Sequence, residues 1–480
     1  MTVKWPEHAW RGWVMEKITL EKIARYAEGQ VYGRADLTIA GVQIDSRHVG
    51  KEDLFVALTG ENVDGHAFVF AALDTCDAAL VAREWAEANS PKLPAGKGLV
   101  VVEETLSALQ NLAHRYRQRF HIPIIGVTGS SGKTTTKDMI ASVLGAKFSV
   151  HKTKANFNNE LGLPLSLLGI EPDHQAAVVE MGMRGLGEIG FLAELAEPTI
   201  GVITNVGETH LELLGSQANI ASAKGELLRA LPSDGIAILN GDDVWCRTLA
   251  SELECSVLYY GLNDGVLDLV ARSVTPMGEH GTRFTAVWLG QTEVEVLLPL
   301  PGRHNVANAL AAMCVGLSLG MDLAACAKGL EEIQLTGMRL EICAGPWQST
   351  IINDTYNANP DSTKASLQVL AESGLTSPKI AVLGSMLELG SATEPGHRQV
   401  GEFAATVPDL AYLITVGEFA RFIALGAEQA GLPSDKIHAF MDTQQAVSWL
   451  ENHPIQDAWI LVKGSRGMEM ERIVQALSAI

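Results

Sequence analysis

Apolar side chains recur at helical spacing over residues 18–27. Short apolar runs at 39–44, 54–58, 78–81 and 99–102 then alternate with polar turns. Such short runs bounded by turn signals predict strands. Residues 106–120 combine an apolar stripe with a charged face, which predicts an amphipathic helix leading into a second region. That region opens with a buried strand at 122–128 and a helix at 133–144. Further apolar runs follow at 176–179, 200–204, 236–239 and 257–260, with helical stretches between them. This alternation predicts a parallel sheet covered by helices. Between about 266 and 300 the pattern is that of an antiparallel excursion. A third α/β unit starts near Glu341, with strands expected at 350–353, 380–384, 413–416, 438–440 and 459–462. The expectation is an α/β chain of three domains at 15–104, 105–338 and 339–480, with a peripheral extension at 1–14.

Composition narrows the classes. With 47% apolar and 19% charged residues the chain can build real cores, so long disorder is excluded. The balance of 36 Lys plus Arg against 56 Asp plus Glu gives a net charge of -20, which argues against general nucleic-acid binding. A local pocket can still carry the opposite sign. The cysteines at 76, 246, 255, 314, 326 and 343 form no C-x-x-C pair, so neither a zinc ribbon nor a dithiol redox site is indicated. They read as reduced thiols, and a cytoplasmic location is expected. Trp5, Trp10 and Trp13 stand in an N-terminal stretch without a continuous apolar segment of signal type. The most apolar long stretch, 306–327, is interrupted by Asn308, Ser318 and Asp322, and Gly320 reads as a helix stop. It predicts two short buried helices, and no membrane span.

The strongest chemical signal is Gly126-Val-Thr-Gly-Ser-Ser-Gly-Lys-Thr-Thr-Thr136. A strand runs into a glycine-rich loop, and Lys-Thr opens a helix. That geometry aims backbone N–H groups and a helix N-terminus at a polyphosphate. Gly129, Ser130, Ser131, Gly132, Lys133, Thr134 and Thr135 are therefore candidate ATP contacts, with Thr134 offering its hydroxyl to Mg²⁺. Val127 stands where the longer phosphate-loop pattern has its first glycine, so this is the shorter Gly-x-x-Gly-Lys-Thr form. Glu180 closes a strand and is placed either to meet a metal or simply to face solvent. His210, in Asn205-Val-Gly-Glu-Thr-His210, also follows a strand end; spacing alone leaves it a structural residue or a metal ligand. Lys224, on a following helix, reads as a solvated lysine by periodicity. Asn305 and Asn308 share one helical face, and capping explains only one of them. The segment Asn353-Asp-Thr-Tyr-Asn-Ala-Asn-Pro-Asp-Ser362 is too polar for a plain turn.

Taken in order, these motifs resemble those of the Mur ligases, the ATP-dependent amide-forming enzymes of bacterial cell-wall synthesis. The resemblance covers nearly the whole chain after Met15. Asp354-Thr-Tyr-Asn-Ala-Asn-Pro-Asp-Ser362, together with Gly384-Ser-Met-Leu-Glu-Leu-Gly390 and His397, is similar to the branch that adds D-alanyl-D-alanine to a UDP-N-acetylmuramoyl tripeptide. Thr355 departs from the more acidic pattern of that branch. The resemblance implies an N-terminal UDP-binding α/β domain, a central parallel-sheet ATPase domain and a Rossmann-like C-terminal domain that closes over the site. It assigns Ser46 and Arg47, beside Asp45, to the UDP-sugar, and Asn158, Asn159, Tyr356, Asn357 and Asn359 to substrate. Asn305 and Asn308 are implied at the adenine, Asp354 at the ribose and Arg339 at the phosphates. Lys463-Gly-Ser-Arg466 resembles the family's C-terminal loop. The catalytic set would be Lys133, His210, Lys224 and Arg339. Lys224 matches a lysine that is carbamylated in several members, and with Thr134, Glu180 and His210 would serve two Mg²⁺ ions.

The implied chemistry joins a carboxylate to an amine. ATP converts the carboxylate into an acyl phosphate, the amine attacks, and phosphate leaves, so no enzyme nucleophile is expected. Positioning and charge stabilisation would carry catalysis. The expected partners are the UDP-muramoyl tripeptide and D-alanyl-D-alanine, with no nucleic acid and a monomeric chain. The alternatives are a folylpolyglutamate synthase, against which the N-terminal region argues, and a nucleotide-binding regulator or scaffold.

Overall fold

The computed structural model describes residues 13–60, 63–263, 265–374 and 376–479. Among these the strands form three sheets. The first orders its six strands Trp13–Thr19, Thr38–Gln43, Asp53–Val56, Ala78–Ala82, Gly98–Val102 and Gln30–Gly33. Its inner pairs are parallel and its two edge pairs antiparallel. In the expected extension, residues 1–12 lie outside the described residues. Trp13 and Val14 already pair with Val42 and Gly41, so regular structure begins before Met15. The helix expected from residue 18 starts at Leu20, capped by the Thr19 hydroxyl; Ile18 and Thr19 end the preceding strand.

Helix Thr105–Arg117 leads to the second sheet, with Glu104 accepting from the Leu106 and Ser107 amides at its start. Nine strands follow in the order Thr292–Leu298, Thr282–Trp288, Leu269–Pro276, Ser256–Gly261, Ile236–Asn240, Ile200–Ile203, Ile124–Thr128, Ala176–Glu180 and Val150–Lys152. Seven are parallel and the hairpin extension is antiparallel, as the change of pattern near residue 266 anticipates. The apolar stretch 306–327 falls in two helices, Arg303–Ser318 and Leu323–Glu331, which turn at Gly320 with φ +75°. No helix among the described residues is long and apolar enough to cross a membrane.

The third sheet runs Glu341–Ala344, Thr350–Asp354, Trp459–Lys463, Lys379–Gly384, Leu410–Val416 and Ile437–Phe440, parallel except at its first edge. Apolar packing divides differently from the sheets. One continuous cluster joins the first sheet to one face of the second, with Trp13 edge-on to Phe157 at 4.9 Å. The buried Tyr116 hydroxyl, on the linking helix, accepts from the Glu16 amide and donates to the Ile170 carbonyl. The third sheet buries its two faces in clusters of its own, Leu340 onward. It therefore meets the rest of the chain across a largely polar seam.

Within that unit, helices Thr393–Ala404 and Arg421–Gln429 touch through glycines. A Cβ at Gly401 would collide with the Ile423 carbonyl oxygen, and one at Gly426 with that of Arg398. Gly401→Ala is expected to destabilise by about 1–3 kcal/mol through overpacking, despite the better helix propensity of alanine. Urea unfolding measures this; an unchanged or raised midpoint contradicts the close packing.

Candidate active site

Parallel register brings the chemistry to one edge. Strand Ile124–Thr128 lies between strands Ile200–Ile203 and Ala176–Glu180, with Thr128 opposite Ile203 and Val127 opposite Glu180. Gly129, Glu180 and Thr204 therefore emerge together at the carboxyl ends of the strands, where open α/β sheets bind ligands. The loop is stiffened from the neighbouring strand end. Ser131 donates its N–H to Asn205 Oδ1 at 3.0 Å, and the Asn205 amide returns a bond to the Ser131 carbonyl at 3.1 Å. Ser130 N–H donates to the Asn205 carbonyl, and the Ser130 hydroxyl accepts from Gly207 N–H at 2.8 Å. A side chain at Gly129 would overlap Thr204 Oγ1, and one at Gly132, φ +78°, would meet Asn308 Oδ1 at 2.7 Å. Helix Lys133–Gly145 receives no side-chain cap, so its first N–H groups remain open to an anion.

Lys133 is half-buried and donates to the Gly129 carbonyl at 2.7 Å. Burial pushes its ammonium below the usual lysine range; Glu180 opposes this and Arg339 adds to it. Thr134 donates its hydroxyl to Glu180 Oε2, and Asn158 its amide to Oε1, both at 2.8 Å. Glu180 is 2% exposed and makes no ion pair among the described residues, where its two hydrogen-bond donors, Thr134 and Asn158, are neutral. Lys224 is not the solvated lysine its periodicity suggests. It is 1% exposed, makes no hydrogen bond among the described residues, and is driven well below the lysine range by burial, with Lys133 adding. A helix flank packed between strand end and neighbouring helix overrides the bland pattern. His210 takes φ +63°, and burial, with Lys133, Lys224 and Arg184 adding, holds its imidazole down to about 4. It is neutral near pH 7 and able to ligate. Among the described residues no three His, Cys, Asp or Glu side chains gather into a ready metal cage.

The third sheet closes the other side. Asp354 and Lys463 are register partners on adjacent strands, and their side chains meet at 2.5 Å. Ser366 also donates to Asp354 Oδ2, and the Leu340 N–H donates to Oδ1. Burial opposes the Asp354 carboxylate, yet Lys463 outweighs it and holds the group below the usual range. From the second region, Asn305 bonds Pro301 O and receives the Asn308 amide. The adjacent His304, held down to about 4 by burial, feels both Asp354 and Lys463 across the seam. Arg339, between Met338 and Leu340 at φ +63° and +48°, lays its guanidinium 4.0 Å over the Tyr356 ring; its Nε has no partner. Glu388 comes within 3.8 Å of His210 Nδ1 from the third unit.

The remaining expected residues divide. Asn357 is exposed near the seam. Asn359 caps helix Pro360–Glu372 in a reciprocal capping box with Ser362, and Asn159 accepts from the Gly162 amide, so both side chains already serve local structure. Arg47 pairs with its own Asp45, and no hydrogen bond among the described residues joins it or Ser46 to the phosphate loop. His397 is buried and accepts from the Met386 amide, pinning the 384–390 loop. The residues missed from sequence are Asn205, His304 and the buried pair Lys137 and Asp138. Asp138 lies one turn beyond Thr134 on the same helix face, the one signal that marks it.

Similarity to known proteins fits this geometry. Family models match in three segments: "Mur ligase family, catalytic domain" at 38–117, "Mur ligase middle domain" at 127–316 and "Mur ligase, glutamate ligase domain" at 338–466. The UDP-N-acetylmuramoyl-tripeptide–D-alanyl-D-alanine ligase of Bacillus subtilis is 39% identical, over 96% of this chain and 99% of its own. The structure of MurF from Acinetobacter baumannii superposes with a TM-score of 0.85 at 31% identity, covering 97% of this chain and all of that one. MurF ligase from Thermotoga maritima, solved in complex with ADP, gives 0.77 at 28% identity over 91% and 97%.

Gly129→Ala is expected to lower affinity for an ATP analogue at least tenfold, roughly 1.4 kcal/mol. Gly145→Ala is the control, because a Cβ there meets open space. Calorimetric titration reads both; equal affinities contradict the close loop packing.

Proposed function

The chain belongs to the Mur ligase family, and we propose from that premise that it joins D-alanyl-D-alanine to a UDP-N-acetylmuramoyl tripeptide at the expense of ATP. The observation that carries the reading is the meeting of the phosphate loop, Glu180 and Arg339 at the seam with the Asp354–Lys463 sheet, in a chain matched end to end by such a ligase. A carboxylate is a poor electrophile because oxide is a poor leaving group. A tripeptide carboxylate oxygen attacks the γ-phosphorus of ATP and ADP departs. The D-alanyl-D-alanine nitrogen then attacks the acyl carbon, loses its proton, and phosphate leaves with the carboxyl oxygen. The loop amides, Lys133 and Arg339 hold and neutralise the phosphoryl group in transfer. Asn305 and Asn308 lie on the adenine side and Asp354 on the ribose side. Ser46 and Arg47 take the UDP end. Asn158, Asn159, Tyr356, Asn357 and Asn359 line the peptide side, the two capped amides through the loops they fix. We place the domain limits at hinges near 104 and 338. The proposed working unit is a monomer, and the free thiols suit the cytoplasm.

The buried carboxylate of Glu180 and the oxygen of Thr134 fit Mg²⁺, a hard cation that takes oxygen ligands. Bound there it would polarise the phosphates. His210, neutral, stands on the side of a second ion. Lys224 would oppose that ion as an ammonium, but its depressed basicity leaves free amine available. Carbon dioxide adds to that nitrogen, a proton leaves to water, and the resulting carbamate offers two anionic oxygens.

Phosphate release from ATP tests the reaction. Release should require both the UDP-muramoyl tripeptide and D-alanyl-D-alanine. Release driven by folate and glutamate would instead support a folylpolyglutamate synthase, and release with neither substrate a nucleotide-dependent regulator.

For the carbamate, Lys224→Ala should lose at least tenfold in rate, about 1.4 kcal/mol of barrier, and regain part with a small carboxylic acid. ¹³C-bicarbonate should give a carbamate carbon signal in the parent and none in the variant. Full activity of Lys224→Arg contradicts the modification.

A further inference from the structure

Lys137 and Asp138 follow the phosphate-loop residues on helix Lys133–Gly145 and are 0% and 1% exposed. Buried charges are costly and stay only when paired. Lys137 donates to the Thr153 carbonyl at 2.8 Å and stands 3.4 Å from Asp138. Lys152 donates to Asp138 Oδ1 at 2.8 Å. The other carboxylate oxygen, Oδ2, accepts the backbone N–H of Thr336 at 2.8 Å. This bond crosses 198 residues of sequence and anchors the segment that leads into the third unit. Three residues on is Arg339. On either side of it the same segment is anchored again, by Tyr356 N–H to the Met338 carbonyl at 3.2 Å and Leu340 N–H to Asp354 at 3.3 Å. Arg339 is thus flanked by two anchors to the third unit, at Met338 and Leu340, in a segment that is tied three residues earlier to the phosphate-loop helix. Met338 and Leu340 hold left-handed backbone on either side of it, a conformation that persists only where surroundings impose it.

We infer that Asp138 is a positioning residue: by holding the Thr336 amide it fixes Arg339 over the phosphate loop when the third unit is closed. The side chain touches no phosphate itself and acts through Arg339. The helix that presents Lys133 and Thr134 is then mechanically the same body that sets the hinge. Nucleotide seated at the helix start and hinge geometry become one variable, without a separate signalling element. The inference rests on the ligase reading for its functional meaning but not for its measurement.

A double-mutant cycle on affinity for a non-hydrolysable ATP analogue tests it. Asp138→Ala should weaken binding at least fivefold in the parent and less than twofold in Arg339→Ala. Equal losses in both backgrounds would overturn the inference, because Asp138 would then act on the loop or core directly. Asp138→Asn keeps an oxygen for the Thr336 amide while removing the charge. It should retain more than half of the parent affinity, and a loss as large as that of alanine would also overturn the tether. Thr336→Pro removes the tethering N–H and leaves Asp138 with its two lysines, which covers the case in which Asp138→Ala does not fold: it should weaken binding at least fivefold, and parent-like affinity would overturn the tether. A parent that releases no phosphate with both substrates defeats the ligase reading, yet the cycle on nucleotide affinity still reads the tether.

Discussion

Three basic side chains, Lys133, Lys224 and Arg339, are held where strand tips of two sheets meet, and the enclosure of Lys133 and Lys224 there is the constraint on which the site depends. Burial depresses Lys133 and Lys224; Arg339 adds to this at Lys133 and Lys133 at Lys224, while Glu180 offsets it at Lys133. Such an arrangement is costly in the empty protein and favourable around a polyanion. The fold supports it with neutral donors: Asn205 braces the loop, Asn158 and Thr134 brace Glu180, and an uncapped helix start supplies N–H groups. Charge left unsatisfied by the protein is what an ATP polyphosphate and its metal satisfy.

The distribution of apolar packing explains how that site can open. The first and second sheets share one hydrophobic cluster, so they form a single body. The third keeps its apolar clusters to itself and meets the second unit with Arg339 near Lys133, Glu388 near His210, and Asp354 and Lys463 near His304. A seam of this kind is held by few polar contacts and by whatever lies between them. Ligand that touches both sides therefore favours the closed arrangement by differential binding.

Much of this was legible in the residues. The phosphate loop announces itself because strand, glycine and Lys-Thr have no cheaper common explanation, and Glu180 and His210 follow from strand ends in a parallel sheet. Interior strands were readable because burial on both faces makes their runs continuous. Edge strands Trp13–Thr19, Gln30–Gly33, Val150–Lys152 and Glu341–Ala344 were not, since they are half exposed and their mixed pattern imitates turns or helix starts. Lys224 and Asp138 were misjudged or missed for one reason. Periodicity assigns charges to solvent, and only tertiary packing reveals that these are enclosed. The two capping asparagines show the converse, a polar motif in which part of the polarity serves a helix start.

The central claim is that burial holds the Lys133 ammonium below its usual range in the empty site and that a bound polyphosphate raises it again. Calorimetric titration of a non-hydrolysable ATP analogue, in buffers of differing ionisation enthalpy above pH 8, measures this directly. At that pH the nucleotide is already fully deprotonated. Because burial lowers the Lys133 basicity and bound phosphate raises it, binding should take up protons, increasingly as pH rises toward the ordinary lysine range, and Lys133→Met should abolish most of the uptake. Binding of equal strength with no proton uptake in the parent would contradict the account.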